Sequence, residues 1–209
     1  MHAPLVDIMD LSSGLIETGQ KLNSNTIEHS GSSIYINSEE LNHLINNLSQ
    51  LIRLETTEIT LTRGLHSLDK VVNVALKSLN RKLGNKIVKT RSLELLPKIS
   101  FNKVFLEQVF YNIIENAIKY TPTESPIEIY AELHPERVII SIEDRGPGVA
   151  LEEVNKIFEK FYRGQAISHI KGMGLGLTIS QKIIHLHGGE IWAENRKEGG
   201  AIFRFTLPL

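Results

Sequence analysis

The sequence predicts an α+β protein in which an antiparallel helical hairpin precedes a two-layer α/β sandwich, a mixed sheet with helices on one face. Three observations carry this. Over residues 4–22 and 39–55 a stripe recurs at steps of three and four, the period of a helix, whereas from residue 64 helical periods alternate with short runs that alternate apolar and polar. Gly and Pro punctuate the second part at the ends of those runs. The chain has 209 residues, 41% apolar and 22% charged, enough for a sizeable core and for two modules.

Taken in order, residues 4–22 read as a first helix, because Leu5, Ile8, Ser12, Leu15, Gly19 and Leu22 form one stripe and Pro4 suits a first-turn position. Residues 23–38 are polar, with Ser30, Gly31, Ser32 and Ser33 together, and read as a loop or frayed helix ends. A second helix is expected over 39–55 from Leu41, Leu44, Ile45, Leu48, Leu51 and Ile52. Two helices with seams this narrow do not bury them as an isolated pair. They are expected to pair again across a homodimer as a four-helix bundle, the other reading being that both pack on the C-terminal module. Over 55–64 threonine accumulates and the apolar period breaks, which places the domain boundary there and gives modules 1–63 and 64–209.

The second module opens with a helix over 68–83, closed by Gly84 and Asn85. Extended segments follow around 86–90 and 97–101. Residues 106–120 form a long helix, ended by Pro122 and Pro126. Strands over 127–133 and 138–143 join through His134 to Arg137 as a hairpin. A helix over 175–187 stops at Gly188 and Gly189, and a last hairpin spans 190–195 and 201–206.

Composition excludes several classes of function. No run of 18 apolar residues exists and the first residues lack a basic, then apolar, leader, so the chain reads as soluble and without an export signal. The absence of cysteine excludes disulfides and cysteine metal sites and suits a cytoplasmic setting. A formal charge of -1, with scattered lysines and arginines, gives no electrostatic case for nucleic acid.

Four segments carry chemistry. On the long helix, Leu106, Phe110, Ile113, Ile114, Ala117 and Ile118 build an apolar face, while Asn112, Asn116 and Lys119 fall on the other side. Asparagine is a poor mid-helix residue, so this row is either a solvated face or a ligand-facing one, in which a carboxamide oxygen meets a hard cation and a lysine meets phosphate. Asp144, Gly146 and Gly148 follow a strand directly; they are ordinary turn residues, or a carboxylate set to accept from an exocyclic amine beside glycines that admit a ring. Phe158 and Phe161 could anchor one end of a loop whose Arg163 reaches phosphate, with residues 164–171 as a mobile lid. Gly172, Gly174 and Gly176 open the next helix, where backbone N–H groups suit phosphate.

In this order the four segments resemble the ATP-binding domain of sensor histidine kinases, a branch of the superfamily that includes gyrase, Hsp90 and MutL. The likeness covers about residues 65–209, and the ending from His187 looks most like the sensor kinases of potassium-uptake operons. The resemblance implies the GHKL, or Bergerat, fold and the binding of ATP with Mg2+. It implies that Asn116 ligates the metal with Asn112 beside it, that Lys119 and Arg163 contact phosphate, that Tyr120 lies against the nucleotide and that Asp144 reads the adenine amine. Gly146 and Gly148, Phe158 and Phe161, and Gly172, Gly174, Leu175 and Gly176 complete the ATP-binding set. Relatives of the gyrase type have a glutamate base four residues before the metal asparagine; here that position is Asn112, which favours transfer to a protein acceptor over hydrolysis.

The likeness departs at the N-terminus. Ala3, Pro4 and Leu5 resemble the end of the family's histidine box, which would put the phosphoacceptor before Met1. His2, His29 and His43 do not take that role, and no catalytic residue is identified in this chain. The chain is therefore expected to be the cytoplasmic part of a membrane sensor kinase, held to the membrane only through upstream segments and unable to autophosphorylate alone, which relays phosphate to the receiver domain of a response regulator. A nucleotide-responsive dimerisation module without kinase activity is the alternative. Asn102 stands where many relatives have aspartate, which puts only the local helix cap in question.

Overall fold

A computed structural model describes residues 2–18, 24–56, 61–164 and 172–209. The chain forms two compact units, Met1–Arg53 and Leu54–Leu209, which part ahead of the boundary expected at residues 63 and 64.

The N-terminal unit is helical. Helix α1 spans His2–Thr18 and α2 spans Ser24–Thr56, its last residues belonging to the second unit. Residues 24–38, expected as a loop or frayed ends, are thus the first half of α2. The reason is local. Asn37 Nδ2 donates to the Ser33 carbonyl at 2.9 Å and Ser38 Oγ to the Ile34 carbonyl at 2.8 Å, so side chains that elsewhere compete with a helix bond back into this one. The apolar period also continues: Ile27, Ile34, Leu41 and Leu48 stand seven residues apart. Among the described residues no helix is long and apolar enough to cross a membrane.

The second unit begins with a short strand, β1 (Gly64–His66), which the sequence did not signal. It pairs antiparallel with β3 (Ile99–Phe101), Leu65 opposite Ser100. Between them lie α3 (Leu68–Ser78), α4 (Asn80–Leu83) and β2 (Val88–Arg91). Then come α5 (Lys103–Tyr120), β4 (Ile127–Leu133), β5 (Arg137–Glu143), a 3-10 turn at Lys156–Phe158, α6 (Gly176–Leu186), β6 (Ile191–Asn195) and β7 (Ala201–Pro208).

The main sheet has the order β2-β4-β5-β7-β6, with β2 and β4 parallel and the other pairs antiparallel. It is a mixed sheet, as expected. Alternate residues bury one face: Ile127 and Ile129, Val138, Ile140 and Ile142, Phe203, Phe205 and Leu207. Helices α3, α5 and α6 form the second layer, α5 between the other two. Phe110 of α5 meets Phe205 of β7 edge-on, ring centres 5.5 Å apart, at the centre of the core. The other sheet face is polar, with Arg91 and Arg145 both on Glu128 at 2.8 and 2.7 Å.

Candidate ATP-binding site

The site is built on α5, whose ends are fixed before its polar residues are placed. Asn102 occupies the N-cap, its Oδ1 accepting from the Phe105 N–H at 3.1 Å, so the cap survives the change from aspartate. The Asn102 N–H donates to His187 Nε2 at 3.0 Å, and His187 Nδ1 lies 2.7 Å from the Ile183 carbonyl. His187 is therefore neutral with its proton on Nδ1, and burial holds its pKa below the usual value. This one imidazole ties the start of α5 to the end of α6.

The three polar residues expected on one row of α5 meet three different surroundings. Asn112 is buried between α5 and α6: Oδ1 accepts from Gln108 Nε2 at 2.9 Å, while Nδ2 donates to the Gly176 carbonyl at 3.0 Å and to Ser180 Oγ at 3.3 Å. Its carboxamide sets the first turn of α6. Asn116, one turn on, is half-buried, and its amide makes no hydrogen bond among the described residues. Lys119 is exposed and pairs with Glu115 Oε2 at 3.1 Å. Glu115 is itself buried and also meets Lys82 of α4. Tyr120 is half-buried at the end of the helix, and burial raises its phenol pKa.

Asp144 follows the last residue of β5 and is 3% exposed. Its Oδ1 accepts from the Gly146 N–H at 2.8 Å and the Ala201 N–H at 3.1 Å, whereas Oδ2 makes no hydrogen bond among the described residues. Burial pushes its pKa up, against the pull of the two N–H groups. A carboxylate held by one oxygen and free at the other is a rigid, directed acceptor. The turn brings Gly146 against the end of α5, so closely that a Cβ there would lie 2.8 Å from the Tyr120 carbonyl oxygen. Asn195 clamps the far side of the turn around Gly148, accepting from the Val149 N–H at 2.8 Å and donating to its carbonyl at 2.6 Å.

The remaining segments close the site at α6. Phe158 is buried and its carbonyl accepts from Thr178 Oγ1 at 2.8 Å. Phe161, expected to anchor beside it, is instead 57% exposed, on a backbone with a positive φ of 62°. What holds there is backbone: the Phe161 N–H donates to the Gly174 carbonyl at 3.1 Å. Gly174 has φ 69° and packs so tightly on the Tyr162 carbonyl that no Cβ fits. Arg163 is exposed. Residues 165–171, the heart of the expected lid, lie outside the described residues, and Gly172 follows them directly. Leu175 is buried as the N-cap of α6, and Gly176 contributes the carbonyl that Asn112 and Ser180 share.

Sequence reasoning missed Gln108, Thr178, Ser180, Asn195 and Lys82. Thr178, Asn195 and Lys82 meet partners remote in sequence, whereas Gln108 on Asn112 and Ser180 on Gly176 stand four residues from theirs and were open to the i,i+4 rule.

Comparison with known proteins places the chain in a family. The histidine kinase-, DNA gyrase B- and HSP90-like ATPase family matches residues 101–209. The chain is 30% identical, over all of its length, to the sensor protein KdpD of Clostridium acetobutylicum, and 39% identical over 79% of its length to KdpD of Escherichia coli. It spans only 23% and 18% of those two proteins. The crystal structure of full-length ShkA in complex with AMPPNP matches with a TM-score of 0.73 at 25% identity, over 99% of this chain and 43% of ShkA. The chain belongs to the histidine kinase-, DNA gyrase B- and HSP90-like ATPase family, on its sensor histidine kinase branch and close to KdpD.

Proposed function

We propose that this chain binds Mg-ATP where the end of α5, the Asp144 turn and the start of α6 converge, and that it passes the γ-phosphoryl group to a histidine. The observation that carries the reading is Asp144, a buried carboxylate with one oxygen tied to two backbone N–H groups and the other left for a donor such as the adenine amine. Gly146 and Gly148 let the turn that carries Asp144 close against the Tyr120 carbonyl and Asn195, and Tyr120 flanks the base. Lys119 and Arg163 contact phosphate, and the backbone N–H groups of Gly172, Gly174, Leu175 and Gly176 close over it, with Phe158 as the buried anchor of that segment and Phe161 at its turn. The half-buried Asn116, with its amide unengaged among the described residues, fits a hard cation carried by the phosphates. The bound Mg2+ would neutralise charge on the phosphates; Lys119 and the N-terminus of α6 would hold them in line for transfer.

Asn112 offers no base to activate water, and its carboxamide is engaged with α6, which supports a protein acceptor rather than rapid hydrolysis. The acceptor is a histidine on a helical bundle, and the phosphoryl group then goes to the receiver domain of a response regulator. Exposed Ile27, Ile45 and Ile52, which fall on one side of α2, favour pairing with a second copy of the chain. The test has two steps. Calorimetry should show ATP binding that requires Mg2+ and weakens in Asp144→Asn. The chain mixed with a bundle segment carrying a histidine box should then leave acid-labile phosphate on that segment; ATP binding without transfer would make the chain a nucleotide-sensing module instead.

A further inference from the structure

The cluster of Lys82, Glu115 and Lys119 is not accounted for by that reading. Glu115 is buried, with its side chain 7% exposed, and each carboxylate oxygen meets a different ammonium group: Oε1 faces Lys82 and Oε2 faces Lys119, the latter at 3.1 Å. Lys119 is Glu115's neighbour on the same helix, whereas Lys82 reaches in from α4, steadied by the Tyr111 hydroxyl at 3.1 Å. A buried carboxylate resists losing its counter-charge, because an unpaired charge out of water is strongly unfavourable. Without Lys82, Glu115 would hold Lys119 more firmly and compete directly with a phosphate for that lysine.

We infer that Lys82 is a positioning residue for phosphate binding: by keeping Glu115 paired, it lets Lys119 turn from that carboxylate to the phosphates of a bound nucleotide. This rests on the proposed role of Lys119 as a phosphate contact. Glu115 then acts as the resting partner that keeps Lys119 at the end of α5, and without Lys82 it holds Lys119 back from the phosphates.

The test compares ATP with adenosine, which has the base but no phosphate. Lys82→Met should weaken Mg-ATP binding by about three- to tenfold and leave adenosine binding unchanged, and Lys82→Arg should restore most of the loss. In a Lys119→Met background, and again in Glu115→Gln, the Lys82→Met penalty should shrink to less than about twofold. The inference is overturned if Lys82→Met leaves ATP binding unchanged, if it weakens adenosine equally, or if the penalty persists in the Lys119→Met background. A parent chain that binds no ATP would overturn the site reading and this inference together; one that binds ATP, with Asp144 sensitivity but no Lys82 effect, would overturn this inference alone.

Discussion

The two ends of the site are built by opposite means. At the base end, Asp144 is fastened by two backbone N–H groups, the turn is clamped by Asn195, and Gly146 is pressed against the Tyr120 carbonyl, so its geometry is settled before any ligand arrives. At the phosphate end, Asn116 and Lys119 hold either no hydrogen bond among the described residues or a partner, Glu115, that a phosphate can replace. A base of fixed shape can be met by a rigid acceptor, whereas phosphates that change during transfer are better met by groups able to move.

The largest effect should come from the rigid end. Asp144→Asn keeps an oxygen for the Gly146 and Ala201 N–H groups and turns a donor toward the adenine amine, so Mg-ATP affinity should fall about ten- to hundredfold by calorimetry. The same substitution should not lower the melting temperature. Burial has raised the pKa of Asp144, so its ionised form opposes folding: the benefit of this group is full below its unfolded value and is lost as pH rises through the folded one. A neutral residue there removes that opposition, and a lowered melting point would show that the charge supports the fold.

Next in size, Asn112→Ala removes the bonds to Gln108, Gly176 and Ser180 and should destabilise the second unit by about 1–3 kcal/mol in urea unfolding. Because it loosens the first turn of α6, it should weaken ATP more than adenosine. At the adjustable end, Lys119→Met should lower ATP affinity by up to about tenfold with no loss of stability, since the lysine is exposed and Glu115 keeps Lys82. Equal losses for adenosine in either variant would blur the division between the two ends.

The smallest effect lies outside both ends. His187 is buried neutral with its pKa lowered from 6.5, so the fold takes up its proton less readily than the unfolded chain. Stability from this group should be complete above about pH 6.5 and should decline as pH falls below it toward the lowered folded value. Urea midpoints at pH 7.5 and 5.5 would show this, and the difference should shrink in His187→Gln.

Much of this was open to reading from the chain. The apolar face of α5 and the glycines around Asp144 and α6 follow local rules, so their elements and order were legible. So was the sheet's hairpin between β4 and β5. The first half of α2 was not, because Ser30, Gly31, Ser32 and Ser33 look like a turn by propensity, and the back-bonding of Asn37 and Ser38 appears only once the helix exists. Asn112 was placed with Asn116 because both repeat at the helical period; what separates them is α6, sixty-four residues on, through Gly176. Lys82 and Asn195 were invisible for the same reason. Phe161 misled because an aromatic at i+3 suggests packing, whereas here it is exposed.

The pairing of β5 with β7 also bears on how the site comes into being. Glu143 faces Ile202, and Asp144 receives its N–H bond from Ala201 across a loop of fifty-seven residues. The hairpins β4–β5 and β6–β7 close short loops and can form early, but their union closes a long one and waits on the chain between them. The acceptor for the base is thus assembled by the latest joining of the sheet, and a chain stalled before that step would carry every residue of the site without the ability to recognise a nucleotide.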